Sequence, residues 1–149
     1  MANSTEVNIL LVEDDEIDVR AVKQAFAKQK VKNSIHVASD GVEALEMLRA
    51  EGGREPFPRP FLILLDLKMP RMGGLQFLEE IRNDPDLCDT IVFVLTTSDD
   101  DKDKVAAYEK NVAGYLLKSN SGADFLNAVQ MLDFFRISVQ FPPERNDNS

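Results

Sequence analysis

The feature that most constrains the fold is a run of five apolar residues, 61–65 (FLILL), that leads directly into Asp66. An apolar run of this length is typical of a strand buried on both faces of a parallel sheet. Pro70 and the pair Gly73 and Gly74 follow and break regular structure. The sequence therefore predicts a buried strand that ends with Asp66 at a surface turn, the edge where open α/β sheets place their chemistry. An aspartate in this place can also simply cap the turn.

Strand and helix patterns alternate five times along the chain. The strand patterns span residues 7–12, 35–38, 61–66, 91–96 and 114–117. The fourth helix pattern, near residues 102–110, is weakly apolar, so we expect it to pack loosely. The other helix patterns have apolar residues at helical spacing. Right-handed crossovers between parallel strands then predict an α/β fold, a flavodoxin-like (βα)5 doubly wound sheet with strand order 2-1-3-4-5.

Apolar side chains at helical spacing define the predicted buried faces of the helices. They are Ile17, Ala21, Val22, Ala25 and Phe26 in the first helix, Val42, Leu45 and Leu48 in the second, Leu75, Leu78 and Ile81 in the third, and Phe125, Leu126, Val129 and Leu132 in the fifth.

The composition limits the classes of protein and partner. A chain of 149 residues fits one domain, and its net charge of −9 disfavours nucleic-acid binding and suits cations or a basic partner. One cysteine, Cys88, excludes an intrachain disulfide, and with a single histidine it makes zinc improbable. No apolar run is long enough to span a membrane, and the first residues show no secretion signal, so we expect a cytoplasmic protein.

The chain divides into a short flexible N-terminus (1–6), one domain (7–135) and a C-terminal extension (136–149). In the extension, Ile137, Val139 and Phe141 alternate with polar residues, as in a strand with one apolar face. The predicted sheet is complete without this strip. It either folds back on the fifth helix or, as we favour, crosses to a second copy as a dimerisation arm and forms a homodimer.

An acidic cluster is predicted where the first and third strands end side by side. Glu13, Asp14 and Asp15 follow the first strand, and Asp66 ends the third. Carboxylates packed this closely repel one another unless a cation neutralises them, and an oxygen-only ligand set favours Mg²⁺. Asp15 is instead predicted to cap the first helix, and capping is the alternative for the other two.

Two further strand ends carry groups that suit a phosphate. Thr96 and Thr97 end the fourth strand with hydroxyls that either bind phosphate oxygens or cap a turn. Lys118 ends the fifth strand beside the acidic groups and is a candidate ion-pair partner and phosphate binder. Together, the four strand ends predict a magnesium-dependent site for an anionic group.

With these residues, the chain resembles the receiver domains of response regulators over about residues 7–135. Glu13 and Asp14 match the family's acidic pair, Asp66 its phosphoacceptor, and Thr96 and Lys118 its conserved threonine and lysine. The patterns around positions 69–74 and 114–115 also match. The family usually has a proline after this lysine, where the chain has a serine, so the cis bond common there would cost about 3–4 kcal/mol.

The resemblance implies that Asp66 takes a phosphoryl group from a phosphohistidine on a sensor histidine kinase. It implies that Mg²⁺ is held by Asp14, Asp66 and the backbone carbonyl of Lys68, with Glu13 acting through water. The chain would be a phosphoacceptor in a two-component phosphorelay rather than an enzyme that turns over an external substrate.

The resemblance also assigns the switch residues. Lys118 and Thr96 would bind phosphoryl oxygens, with Thr97 beside them. Tyr115 would rotate inward and change the surface formed by the fourth helix, fifth strand and fifth helix; the alternative is a static, half-buried tyrosine.

The long loop at residues 52–60 and the C-terminal extension are similar to single-domain regulators that partner bacterial phytochrome kinases and dimerise through this segment. The sequence disfavours three other functions. An aspartyl-phosphate phosphatase usually has a second acid two residues after the nucleophile, where this chain has Lys68. A flavin-binding module would place the phosphate of the flavin after the first strand, where Glu13 and Asp14 would repel it. A dimerisation module that is never phosphorylated would not need an intact phosphorylation site.

Overall fold

The chain folds as a five-stranded parallel sheet with helices on both faces. The computed structural model describes residues 7–67, 69, 71–96, 111–118 and 121–127. Its elements are β1 (Asn8–Val12), α1 (Glu16–Lys28), β2 (Ile35–Ala38), α2 (Gly41–Leu48), β3 (Phe61–Asp66), α3 (Gly74–Asn83), β4 (Val92–Thr96) and β5 (Gly114–Leu117), followed by a C-terminal helical segment (121–127). The predicted fourth helix and C-terminal extension lie outside the described residues.

The strand order is β2-β1-β3-β4-β5 with every neighbouring pair parallel, which confirms the predicted topology. β3 is central, and each of its residues is buried. The register pairs Val12 with Leu65 and Thr96 with Leu117, so the carboxyl ends of β1, β3, β4 and β5 meet at one edge. No helix in the described part of the chain is long and apolar enough to cross a membrane.

Two apolar cores lie on opposite faces of the sheet. One packs α2 and α3 against it through Leu45, Phe77 and Ile81. The other packs α1 and the C-terminal helical segment through Phe26 and Phe125, whose rings lie 4.8 Å apart between centroids.

The predicted buried face of α1 was wrong at its start. Ile17 is 74% exposed and Ala21 is also exposed, whereas Val22 and Phe26 are buried. Ile17 follows the N-cap in the first turn of α1, so it lies beyond the apolar layer that covers the sheet. Phe77, which the helical pattern of α3 did not single out, is fully buried.

The C-terminal helical segment packs very closely against α1. A side chain at Gly122 would collide with the backbone carbonyl of Ala25, so only glycine allows this approach. Asp124, in the same segment, accepts a hydrogen bond of 2.9 Å from the backbone N–H of Leu117. These contacts hold the end of β5, and with it Lys118, against α1.

Candidate functional site

The predicted acidic cluster forms at the carboxyl edge of the sheet. Glu13 and Asp14 follow β1, and Asp66 is the last residue of the adjacent β3. One carboxylate oxygen from each of the three residues lies within 4.8 Å of the others. Asp66 lies more than 50 residues after Glu13 and Asp14 in the sequence. The parallel pairing of β1 with β3 brings the three residues together.

Glu13 is the most buried member of the cluster, with 2% of its surface exposed. Its Oε1 accepts a hydrogen bond of 3.2 Å from the backbone N–H of Asp15. Its Oε2 is buried and forms an ion pair with the Lys118 ammonium. Burial, and then repulsion from Asp66, raises the pKa of Glu13 from 4.5 to about 7. Burial and the neighbouring Asp66 carboxylate therefore oppose ionisation of Glu13 when no cation is bound.

Lys118 supplies the cation at this edge. Its Nζ lies 3.0 Å from Glu13 Oε2, 2.8 Å from Asp18 Oδ2 and 3.7 Å from Asp66 Oδ1. Burial alone would lower the pKa of the Lys118 ammonium, but the neighbouring carboxylates, led by Asp18, raise it above its ordinary value. Lys118 thus stays charged and is shared among three carboxylates. The contact with Asp18 was not predicted from the sequence.

Asp66 is more enclosed than a residue at a surface turn was expected to be, with 8% of its surface exposed. Part of the reason is Gly74, at the start of α3. A Cβ on Gly74 would lie 2.6 Å from the backbone oxygen of Asp66 and 2.6 Å from Leu67 Cα. The loop after β3 therefore folds tightly onto the residue that ends the strand.

Asp15 has the separate role that was predicted for it. It is the N-cap of α1, and its side chain accepts hydrogen bonds from the backbone N–H groups of Ile17, at 2.8 Å, and Asp18. Its carboxylate is therefore committed to the helix end, whereas Asp14 is exposed at the cluster.

Another acidic residue, Asp40 at the start of α2, was missed by sequence reasoning. It is buried, caps α2 by accepting from the Glu43 N–H at 2.9 Å, and accepts a hydrogen bond of 2.6 Å from Arg71. Burial alone would raise the pKa of Asp40, but the hydrogen bonds from Arg71 and the Glu43 N–H hold it below its ordinary value of 3.8. The signal in the sequence that could have identified Asp40 as a helix cap is its position as a polar residue just before the second helix pattern.

The remaining predicted residues are placed only in part. Thr96 is buried as the last residue of β4, and Tyr115 is half-buried in β5. The rest lie outside the described residues: Lys68, Thr97, Ser119 and the predicted dimer arm of Ile137, Val139 and Phe141.

The donor set fits a hard divalent cation. Glu13, Asp14 and Asp66 offer oxygen ligands alone, and the Lys118 ammonium that pairs with Glu13 is shared with Asp18. Mg²⁺ prefers such oxygen ligands and retains several waters, which the exposed side of the cluster at Asp14 allows.

Comparison with known families gives one clear match. The model of the family described as "Response regulator receiver domain" matches residues 9–130. Response regulator Rcp1 from Synechocystis sp. (strain ATCC 27184 / PCC 6803 / Kazusa) is 40% identical over 127 residues, which cover 85% of this chain and 86% of Rcp1. The probable methanogenesis regulatory protein FilR2 from Methanothrix harundinacea (strain 6Ac) is 37% identical over 123 residues, covering 82% and 78% of the two chains.

Solved structures show the same fold at similar identity. The Mn²⁺-bound form of Rcp1 has a TM-score of 0.68 at 38% identity and covers 92% of this chain and 99% of its own. The phosphorylated cyanobacterial phytochrome response regulator RcpA has a TM-score of 0.72 at 35% identity, with 93% and 99% covered. The bacteriophytochrome response regulator AtBRR has a TM-score of 0.73 at 34% identity, with 85% and 92% covered.

Proposed function

Because the chain belongs to the response-regulator receiver domain family, we propose that it is a phosphoacceptor of a two-component phosphorelay, with Asp66 as the residue that is phosphorylated. Receiver domains are signalling proteins. The observation that carries the assignment is the position of Asp66, whose carboxylate lies between an oxygen-rich cluster and the Lys118 ammonium 3.7 Å away. No other aspartate of the described chain has both neighbours.

In the proposed reaction, a carboxylate oxygen of Asp66 attacks the phosphorus of a phosphohistidine on a sensor histidine kinase. A P–O bond forms, the P–N bond breaks, and its electron pair returns to the imidazole. Asp66 becomes an acyl phosphate. Phosphoryl transfer asks a protein mainly for positioning and charge neutralisation. Lys118, which stays protonated among these carboxylates, provides a positive charge for the phosphoryl oxygens.

Magnesium is the proposed cofactor. Asp14, Asp66 and the backbone carbonyl of Lys68 would hold the ion, and Glu13 would act through water. When bound, the ion supplies positive charge to the phosphoryl oxygens, and its presence favours the ionised form of Glu13. The existence of a Mn²⁺-bound form of the relative Rcp1 supports the proposal that this chain binds a divalent cation.

We propose that phosphorylation is read through Thr96, Thr97 and Tyr115. Thr96 is buried at the end of β4, next in the sheet to the end of β5. The phosphoryl group adds about 1.5 to 2 negative charges and would draw the threonine hydroxyl inward. Tyr115 would follow and change the surface formed by the fourth helix, β5 and the fifth helix.

A bacteriophytochrome-type histidine kinase is the proposed partner, and the cytoplasm the proposed location. The similarity to RcpA and AtBRR supports the kinase type. We also propose a homodimer through the arm at Ile137, Val139 and Phe141. Removing residues 137–149 is expected to shift sedimentation toward the monomer, and an unchanged dimer would contradict the arm.

Intact mass spectrometry after incubation with acetyl phosphate and Mg²⁺ tests the central assignment. The wild type is expected to gain one phosphoryl group, and Asp66→Asn none. Asp86→Asn, which removes an exposed aspartate after α3, is the matched control and should gain it like the wild type. Chelation of the metal should abolish the gain. A folded wild type that gains nothing would favour a dimerisation module that is not phosphorylated.

A further inference from the structure

Lys118 is held by a carboxylate that belongs neither to the acidic pair nor to the phosphoacceptor. Its Nζ donates a hydrogen bond of 2.8 Å to Asp18 Oδ2, across 100 positions of the chain. Asp18 lies in the first turn of α1, where its backbone N–H is fixed by the Asp15 cap. The shortest contact of the ammonium therefore points toward α1.

The contacts with the other two carboxylates are longer. Glu13 Oε2 lies 3.0 Å from the ammonium, so this buried carboxylate forms an ion pair that holds Lys118 together with Asp18. Asp66 Oδ1 lies 3.7 Å away, beyond hydrogen-bond length. In the described part of the chain, Lys118 thus hydrogen-bonds to Asp18 while standing just out of reach of Asp66.

We propose that Asp18 is a positioning residue that holds the Lys118 ammonium away from Asp66 until a phosphoryl group is present. The proposal rests on the phosphoacceptor function of Asp66 argued above. Its consequence is that Lys118 must exchange Asp18 for a phosphoryl oxygen, so the resting contact opposes binding of the phosphoryl group.

The exposure of Asp18 makes such an exchange feasible. Its side chain is 36% exposed, so solvent screens the pair and limits its strength. A phosphoryl group carries more negative charge than a carboxylate, and the side chain of Asp66, which would bear it, is 11% exposed against 36% for Asp18, so solvent would screen its attraction for the ammonium less. Asp18 therefore opposes the movement of Lys118 to the phosphoryl group but does not prevent it.

Binding of beryllium fluoride, a phosphoryl mimic, in the presence of Mg²⁺ tests the proposal in the full-length chain. The Asp18→Ala substitution frees the Lys118 ammonium. The affinity of this variant for beryllium fluoride, measured by isothermal titration calorimetry, is expected to rise roughly three- to tenfold over the wild type. Glu16→Ala is the matched control, because it removes an exposed acid from the same helical turn and Glu16 is not among the carboxylates paired with Lys118 in the described chain. Its affinity should change less than about twofold.

A crystal structure of Asp18→Ala without beryllium fluoride supplies an independent readout. The distance from Lys118 Nζ to Asp66 Oδ1 is expected to shorten from 3.7 Å to hydrogen-bond length. An equal gain of affinity in both variants would reduce Asp18 to a contribution of net charge and overturn the proposal. Weaker binding in Asp18→Ala would also overturn it, since Asp18 would then orient the lysine for the phosphoryl group.

The two readouts separate this inference from the proposed function. If the wild type binds no beryllium fluoride while Lys118 moves toward Asp66 in Asp18→Ala, the phosphoacceptor function fails, and with it the opposition of Asp18 to phosphoryl binding, although Asp18 does hold the lysine in the resting protein. If Lys118 stays where it is in that structure, the positioning role is wrong whatever the wild type binds.

Discussion

Arg71 donates a hydrogen bond of 2.6 Å to the buried carboxylate of Asp40, which lies 31 positions earlier in the chain. The bond joins the loop that follows β3 to the start of α2. A backbone hydrogen bond of 3.2 Å from the Gly41 N–H to the Met72 oxygen reinforces the same junction. The N-cap residue of α2 therefore anchors the loop that follows Asp66.

Arg71→Ala is expected to lower the free energy of unfolding by more than the loss of an ordinary exposed pair does, because Asp40 loses its charged partner while it stays buried. The pKa of Asp40 is depressed, so this contribution is present above its ordinary value of 3.8 and is lost as the pH falls through the folded value. Urea unfolding at pH 7 and below pH 4 checks both claims.

Arg54→Ala is the control for Arg71. Arg54 pairs with Glu46 at 3.5 Å, and both side chains are more than one-third exposed, so its loss should cost less than about 0.5 kcal/mol. Equal losses in the two variants would show that the Arg71 bond is an ordinary surface pair.

Ionisation of Glu13 is expected to destabilise the metal-free protein. The folded pKa is about 7 against an ordinary 4.5, so the folded chain binds more protons than the unfolded chain between these values. Stability from this group therefore falls as the pH rises through that window. Glu13→Gln should be about 1–2 kcal/mol more stable than the wild type at pH 8, with a smaller difference at pH 4.5.

The measurement is chemical unfolding with the metal chelated, with Glu16→Gln, an exposed acid, as control. Added Mg²⁺ should reduce the advantage of Glu13→Gln, because the ion favours the carboxylate. A Glu13→Gln variant that is less stable than the wild type at pH 8 without metal would contradict the assigned pKa.

Gly74→Ala is expected to disturb the phosphoacceptor directly. Its Cβ would lie 2.6 Å from the backbone oxygen of Asp66, so the loop or the strand end must shift at a cost of about 1–3 kcal/mol. Acyl-phosphate formation from acetyl phosphate should slow as well. Gly73→Ala is the matched control, because the nearest atom to its Cβ would be 3.6 Å away. Similar rates and stabilities in the two variants would rule out this close approach.

Arg82 connects the turn after α3 to the segment that precedes β5. Its guanidinium donates to the backbone oxygens of Cys88 at 3.0 Å, Thr90 at 2.8 Å and Asn111 at 2.9 Å. Arg82→Met keeps most of the apolar stem and is expected to lose about 2–3 kcal/mol of unfolding free energy. Arg20→Met, at an exposed position of α1, should lose little, and thermal unfolding of the pair distinguishes them.

The topology was predictable from the sequence because the sheet has a strong periodic signal. Apolar runs such as residues 61–65 have few alternatives to a buried parallel strand, and the order 2-1-3-4-5 is the one expected for a flavodoxin-like sheet of five alternating strands and helices. The same reasoning placed Asp66 at the same edge as Glu13 and Lys118. The residue types at the strand ends were sufficient to predict a site.

The features that the sequence did not predict depend on tertiary contacts, which leave no local pattern in the sequence. Ile17 fits a helical stripe, yet it lies in the first turn of α1, past the layer that covers the sheet, so the stripe alone misplaces it. Asp18 acquires its role from Lys118, 100 positions away, and Asp40 from a loop arginine. Neither pairing leaves a period or a motif in the sequence.

The most direct test of the account is to map the acyl phosphate to a residue. The protein is phosphorylated with acetyl phosphate and Mg²⁺, reduced with borohydride, which converts an aspartyl phosphate to homoserine, and digested for tandem mass spectrometry. The account predicts homoserine at position 66 and none when the metal is chelated. Homoserine at Asp14 or at another aspartate, with position 66 unchanged, would contradict it.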